Sequence, residues 1–214
     1  MSFMVDLLAY MVNHWDLLLK LAIEHVLMVF FGLISALVVG VILGVISARY
    51  DRLAPVILSI ANVIQIIPSL ALLAILMLYF GLGFYTVTVG LFLYSLMPII
   101  RNTYVGLNEV DEHISEAGRG VGMTAFQLLT KVQLPLALPF MMAGLRVAAV
   151  IAVGVATIAP FIGGDGLGRE IFNGINMRNE IRIYAGAIPA AALAIIADFT
   201  LGRLENRLKN RTES

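Results

Sequence analysis

Long uncharged runs divide this chain into apolar segments separated by short polar ones. The run from Val26 to Ala48 contains no charged residue and alone provides the roughly 20 apolar residues that a bilayer-crossing helix needs. The stretch from Leu53 to Ile100 has no ionisable residue except tyrosine and contains Gly81-Leu82-Gly83 near its middle, where a turn is expected. The pattern predicts an all-α polytopic membrane protein with five transmembrane helices, at about 26–48, 55–80, 84–100, 136–160 and 184–202.

Residues 1–24 have a different pattern, with apolar and polar side chains on opposite faces of a helix. Trp15 and Leu18 lie on the apolar face, and Asp16 and Lys20 on the polar one. This predicts an N-terminal interfacial helix along the membrane surface; an early turn of the first span is the alternative. The other polar segments are loops at 102–134 and 161–183, within a single domain that covers 1–214.

Composition supports a membrane location and excludes several functions. Hydrophobic residues make up 60% of the 214 residues and charged residues 13%, and the mean hydropathy is +0.95. So few polar groups cannot cover a soluble globule of this size. The net charge of zero gives no reason to expect nucleic acid as a partner, and the chain has no cysteine for disulfide or thiol chemistry.

The placement of lysine and arginine predicts the orientation, because cytoplasmic flanks carry the excess of these residues. An N-terminus outside and a C-terminus in the cytoplasm place ten of the 14 basic residues on or near the inner side. Those ten are Arg49, Arg52, Arg101, Arg119, Lys131, Arg146, Arg203, Arg207, Lys209 and Arg211, against Lys20, Arg169, Arg178 and Arg182 outside. We therefore expect a multi-pass protein of the cell membrane whose 102–134 loop faces the cytoplasm.

That loop contains a spaced motif. It reads Glu116-Ala117-Gly118-Arg119-Gly120-Val121-Gly122, then nine residues, then Val132-Gln133-Leu134-Pro135. An acidic helix is expected up to the glycines, whose backbone freedom then breaks it. Thr124 and Gln127 have the spacing of a capping box, so a second short helix is expected after the bend.

The motif resembles the cytoplasmic loop of ABC-transporter permeases, which runs Glu-Ala-Ala, three residues, Gly, nine residues, Ile, any residue, Leu-Pro. Matching positions are Glu116, Ala117, Gly122, Leu134 and Pro135. Gly118 replaces an alanine of the pattern and Val132 replaces the isoleucine. The resemblance, which extends over most of the chain, implies a MetI-like permease core with a cytoplasmic coupling helix. The plainer alternative is a solvated surface helix between spans.

Several partners follow from the same resemblance. It implies ABC ATPase subunits that bind ATP and Mg²⁺, so that this chain itself binds no cofactor. It also implies an extracytoplasmic solute-binding protein and a second permease chain, identical or similar, in the surrounding membrane lipid. The chain contains no Gly-Lys pair and therefore no Walker-type phosphate loop, which agrees with nucleotide binding on another subunit.

A glycine-rich segment is predicted on the outer side, between the last two spans. It resembles outer loops in the osmoprotectant branch of these permeases, which import glycine betaine, carnitine or choline. The resemblance implies a gate or a docking site for the binding protein. The residues concerned are Gly163, Gly164, Asp165, Gly166, Gly168 and Arg169.

Arg146 and Asp198 are the ionisable residues placed most clearly within predicted apolar helices. A charge there is costly unless it is paired or reaches the interface. We expect either a direct pair or snorkelling of both side chains. Aromatic residues near outer span ends could cage a quaternary ammonium group, although an aromatic belt explains them as well; they are Phe80, Phe84, Tyr85, Phe161 and Tyr184.

No catalytic or metal-ligand constellation is evident, because the three histidines have no ligand spacing. We therefore interpret the chain as a non-enzymatic permease subunit of an ATP-driven importer for quaternary-ammonium solutes. One alternative is an ion-gradient-driven secondary transporter or channel subunit, which usually has charges at the membrane midplane. Others are an ABC permease for another small solute such as an amino acid and, third, a membrane-embedded enzyme.

Overall fold

The computed structural model describes residues 2–212, and this part of the chain is helical without strands, which confirms the all-α prediction. A single-turn π segment, Leu129–Gln133, precedes α8, and a 3₁₀ turn, Ala159–Ile162, follows it. The α-helices are α1 Ser2–Asn13, α2 Trp15–Arg49, α3 Ala54–Ile66, α4 Ser69–Phe80, α5 Phe84–Asn108, α6 Glu112–Gly120, α7 Ala125–Leu128, α8 Leu134–Ala156, α9 Gly168–Met177 and α10 Glu180–Thr212.

Among the described residues, four helices are long and apolar enough to cross a membrane. They are Trp15–Arg49, Phe84–Asn108, Ala125–Ala156 and Glu180–Asn210. The predicted span at 55–80 is bent in the structure, since α3 and α4 meet at an angle of 99°. The total is five only if this bent pair counts as one span, so the five-span topology stays a prediction.

The bend follows from the residues between α3 and α4. Pro68 cannot donate a backbone hydrogen bond and disfavours a helical conformation at Ile67, whose backbone is extended there. The break leaves helix-end carbonyls without their usual partners. The buried Tyr94 of α5 donates its hydroxyl to the carbonyl of Ile67, so α5 satisfies part of the broken backbone.

The N-terminal helix is shorter than predicted. Only α1 is separate, because α2 begins at Trp15 and continues to Arg49; the predicted boundary between an interfacial helix at 1–24 and a span from 26 is therefore wrong. Leu18 and Leu21 are buried, and this packing keeps residues 15–24 in line with the span. The predicted loops are also partly helical, since α5 extends to Asn108, α9 lies within 161–183, and α10 begins at Glu180.

The bundle is built around α5, which packs between α2 and α8, while α10 packs against α8. Small residues allow the close approaches, as their spacing predicts. A Cβ at Gly40 would lie 2.8 Å from the Ile99 side chain, and one at Gly144 would lie 2.7 Å from the Pro98 carbonyl oxygen. The helices are therefore closely packed at these positions.

Candidate functional site

The two ends of the bundle carry different structures. We call the end with α6 and α7 the motif end, and the end with residues 163–167 and α9 the loop end. The helix Ala125–Ala156 joins them, since it starts at α7 and reaches the loop end 32 residues later. The two ends are thus linked by one run of helix that contains the π segment Leu129–Gln133.

The motif end forms a bent pair of helices, residues 112–128, which we call the elbow. Asp111 caps α6 by accepting a hydrogen bond of 2.8 Å from the His113 N–H. The capping box at α7 is confirmed, with Gln127 N–H donating to Thr124 Oγ1 at 3.2 Å and Thr124 N–H donating to Gln127 Oε1 at 2.9 Å. Both caps define where the chain turns.

The turn itself depends on Gly122 and not on all three glycines. The prediction that Gly118 and Gly120 help to break the helix is wrong, because α6 continues through Gly120. Gly122 has φ of +84°, a conformation that other residues rarely adopt. Gly118 has a packing role instead, since a Cβ there would lie 2.7 Å from Leu128 Cδ1.

The rest of the motif joins the elbow to the bundle. Ser115 and Leu128 are buried, and Gln133 Nε2 donates to Ser115 Oγ at 3.4 Å. Val132 is half-buried in the π segment. Leu134 and Pro135 begin α8, directly after the π segment Leu129–Gln133, where the missing N–H of proline removes one intrahelical bond. The motif spacing therefore corresponds to one continuous elbow-to-helix joint.

The outer surface of the elbow combines charge with exposed apolar side chains. Val121 is 77% exposed and Phe126 72%. Glu116 and Ala117 are also exposed, and Glu116 lies 3.8 Å from His113 Nδ1. Exposed apolar groups rimmed by polar ones are typical of a surface that another protein covers.

The glycine-rich segment at the loop end is tightly packed. Gly163 ends the 3₁₀ turn with φ of +73°, Gly164 packs against Val87, and Gly166 lies against His25 and Met28. Gly168 begins α9 directly against the Thr157 backbone, so a side chain there would collide with the end of α8. Asp165 and Arg169 form an ion pair of 2.9 Å at the surface. The predicted residues therefore form one compact loop.

A buried ionic cluster at the loop end was not found by sequence reasoning. Glu170 is only 1% exposed and receives hydrogen bonds from Arg182 Nη2 at 2.7 Å, Arg182 Nε at 3.0 Å and the Tyr10 hydroxyl at 2.7 Å. It ties α1, α9 and α10 together. The sequence signal was an acid beside Arg169 and before apolar residues at the end of a glycine-rich segment.

The environment shifts the pKa values in this cluster. Burial alone would raise the pKa of the Glu170 carboxyl, but hydrogen bonds from Arg182 and Tyr10 lower it below its ordinary range. Burial and the hydrogen bond to Glu170 raise the pKa of Tyr10 to about 12. Glu170 is thus ionised and Tyr10 protonated at neutral pH.

His25 is a second buried polar residue that sequence reasoning missed. Its Nε2 lies 3.1 Å from the Val153 carbonyl oxygen and must donate there, because a carbonyl only accepts. The Thr157 N–H bonds to Gly154, so His25 satisfies a carbonyl near the end of α8. Its Nδ1 has no hydrogen-bond partner among the described residues.

The structure brings Arg146 and Asp198 together. Arg146 Nε and Nη2 donate to the two Asp198 carboxylate oxygens at 2.6 and 2.9 Å, and Nη1 lies 3.4 Å from Glu205. This bidentate pair links α8 to α10 on a partly exposed face. Glu205 is an additional member that lay outside the predicted apolar segment.

The predicted aromatic residues contact different ring partners. Phe84 packs against Phe31 and Tyr85, Phe161 against Phe172 and Tyr184 against Phe3. Phe80 is exposed at the end of α4. Within residues 2–212, no group of three or more His, Cys, Asp or Glu side chains could hold a metal ion.

Comparison with known proteins supports the resemblance read from the motif. Residues 36–210 match the family of binding-protein-dependent transport system inner membrane components. The chain is 51% identical over 186 residues to a glycine betaine/carnitine/choline transport system permease protein, OpuCD, of Bacillus subtilis, covering 86% of this chain and 81% of that protein. It is 46% identical over 209 residues to the choline transport system permease protein OpuBD of the same organism, covering 97% and 92%.

Solved structures confirm the fold. A chain of the MetNI methionine ABC transporter in an inward-facing conformation superposes with a TM-score of 0.84 at 22% identity, covering 92% of this chain and 98% of that one. A chain from a crystal structure of an amino acid ABC transporter with histidines superposes with a TM-score of 0.73 at 21% identity, covering 95% of this chain and 97% of that one. From the motif geometry, the family match and these relatives, the chain belongs to the ABC importer permeases, the family of binding-protein-dependent transport system inner membrane components.

Proposed function

We propose that this chain is the permease subunit of an ATP-driven importer for quaternary-ammonium compatible solutes, namely glycine betaine, carnitine or choline. The observation that carries the proposal is identity of 46–51% to permeases named for these solutes, over 86–97% of the chain. The likeness to amino acid transporters, at 21–22% identity, concerns the fold alone and does not favour an amino acid substrate.

The elbow supports a coupling role. Its exposed Val121 and Phe126 suit a groove on a partner ATPase, which would bind the ATP and Mg²⁺. Closure of two ATPases would move two elbows towards each other. The helix Ala125–Ala156 would carry that displacement to the loop end, where the start of α9 rests against Thr157. This chain contributes conformational change and no bond-breaking chemistry.

The proposal places the N-terminus outside and the motif end in the cytoplasm. A solute-binding protein would then dock at the loop end, near Asp165, Gly166 and Arg169. A second permease chain, identical or similar, completes the pathway. The excess of arginine and lysine at the motif end agrees with this orientation.

Reconstitution tests the proposal. The chain, its co-purifying ATPase, the partner permease if one co-purifies and the binding protein are placed in liposomes loaded with ATP and Mg²⁺. We expect uptake of labelled choline, carnitine or glycine betaine that vanadate stops and that persists when the proton gradient is collapsed. Competition by unlabelled solutes, including methionine and histidine, identifies the substrate. Uptake that needs a proton or sodium gradient and no ATP would instead establish a secondary transporter.

A further inference from the structure

Between the elbow and the bundle lies a cleft of about 450 Å³. Its walls come from the last turn of α2, the end of α5 and the elbow itself. Arg49 of α2 and Arg119 of α6 both line it, together with the amide side chains of Asn108 and Gln133. No Asp or Glu is among the described residues that line the cleft.

Both arginines are exposed, and they differ from the three arginines of the fold that pair with a carboxylate. Arg146, Arg169 and Arg182 each contact a carboxylate at 2.6 to 2.9 Å. Within residues 2–212, Arg49 and Arg119 have neither an ion pair nor a hydrogen bond from their guanidinium groups. Two like charges in one cleft without a counter-charge create a positive potential that favours an anion.

The geometry points to a bound phosphate group in this cleft, held between Arg49 and Arg119. Guanidinium groups present planar, paired donors that match phosphate oxygens, and the two amides can supply further donors. Arg49 is the last residue of an apolar helix that can cross a membrane. The cleft therefore lies at headgroup depth, where the phosphate of an anionic phospholipid is available; free phosphate is the other source of the same chemistry.

Such a ligand would connect the elbow to the first long helix. Arg119 belongs to α6 and Arg49 to α2, so one phosphate would bridge two elements whose charges otherwise repel each other. The elbow's attachment to the bundle would then depend on the surrounding lipid. This inference does not depend on which solute is transported, because it concerns only the motif end.

Thermal unfolding of the purified full-length chain in detergent tests the inference. Phosphatidylglycerol, phosphatidylcholine with the same acyl chains, and inorganic phosphate are added in separate experiments. At a ligand concentration about ten times the Kd, we expect the unfolding midpoint to rise by roughly 3–6 °C. A rise with phosphatidylglycerol alone identifies a lipid headgroup, and a rise with inorganic phosphate identifies the free anion.

Variants decide whether the cleft is responsible. The double variant Arg49→Gln, Arg119→Gln should lose the ligand-induced rise in unfolding midpoint. Arg52 is also exposed but does not line the cleft, so Arg52→Gln should keep that rise. Ala125→Asp provides a second route, since Ala125 lines the cleft and a carboxylate is favourable at the start of a helix. The Ala125→Asp variant should fold and should also lose the ligand-induced rise in unfolding midpoint. The inference is overturned if no addition stabilises the unaltered chain, or if the rise persists in either cleft variant.

Discussion

At the scale of single residues, Gly122 in the elbow and Glu170 at the loop end are required for different reasons. Gly122 is required by its own backbone, since φ is +84° and no atom lies within 4 Å of the position a Cβ would take. Glu170 is required by its surroundings, because three hydrogen bonds from two elements converge on it. One residue shapes a turn and the other holds packed helices together.

Replacing Gly122 tests the turn. Gly122→Val places a β-branched residue at positive φ, which costs on the order of 1–3 kcal/mol. We expect the chain to relieve this strain by straightening the turn. We expect normal membrane insertion but loss of solute-stimulated ATP hydrolysis in the reconstituted complex. Gly120→Val is the matched control, because Gly120 is helical with open space around it. Full transport by the Gly122 variant would show that the elbow's shape is not needed.

Replacing Glu170 tests the buried cluster. Glu170→Gln leaves the Arg182 charge without its partner, and breaking a buried pair typically costs about 3–5 kcal/mol. Asp165→Asn, which breaks the surface pair with Arg169, should cost only ~0–1 kcal/mol. Thermal unfolding in detergent at pH 7 measures both, and equal midpoints for the two variants would contradict a structural role for Glu170.

The cluster also predicts a dependence on pH. The folded-state pKa of Glu170 is lowered, so its stabilisation is present above the unfolded value of about 4.3 and is lost as the pH falls through the folded value. The difference in midpoint between the unaltered chain and Glu170→Gln should therefore be constant from pH 7 to about 5 and shrink at lower pH. A difference that grew on acidification would have the wrong sign.

At the scale of elements, helix contacts compensate for breaks in the helices. The bent pair α3–α4 leaves helix-end carbonyls without intrahelical partners, and Tyr94 of α5 supplies a donor to one of them. The end of α8 is similarly satisfied by His25 of α2. Arg146 and Asp198 hold α8 to α10 through side chains alone.

Removing the Tyr94 hydroxyl tests the support of the bend. Tyr94→Phe leaves the Ile67 carbonyl without that partner, and the loss of one hydrogen bond typically costs about 0.5–1.5 kcal/mol. We expect a lower unfolding midpoint. Tyr79→Phe is the control, since Tyr79 is 80% exposed. Unchanged stability for the Tyr94 variant would mean that other groups satisfy this carbonyl.

A double-mutant cycle tests the link between α8 and α10. Arg146→Ala and Asp198→Ala should each lower the unfolding midpoint, and the double variant should lose less than the sum, because each single variant already removes the shared bonds. Additive effects would mean that the two side chains snorkel independently. The surface pair Asp165 and Arg169 serves as a comparison cycle, where little coupling is expected.

At the scale of the whole molecule, the functional proposal requires the two ends to lie on opposite sides of the membrane. The chain contains no cysteine, so single-cysteine variants report sidedness directly. Gly120→Cys marks the elbow, and Met177→Cys marks the exposed end of α9. We expect a membrane-impermeant maleimide to label Met177→Cys in spheroplasts and Gly120→Cys only in inside-out vesicles. The reverse labelling pattern would place the elbow outside the cell, where no cytoplasmic ATPase could bind it.

The sequence by itself determined the membrane class, the all-α fold, the motif and its capping box. These properties depend on local composition, short-range spacing and the exclusion of charge from long apolar runs. The spacing around Gly122 located the bend because a backbone conformation needs only its own residue and near neighbours. The same local information led to the family, which the comparisons then confirmed.

Only the tertiary structure decided how distant residues meet. The start of α2 at Trp15 and the packing of Gly118 against Leu128 each depend on neighbouring helices. The sequence analysis did not single out Glu170, which packing against α1 and α10 buries. Burial, pairing and cleft formation are properties of contacts between elements, and a one-dimensional pattern carries little information about them.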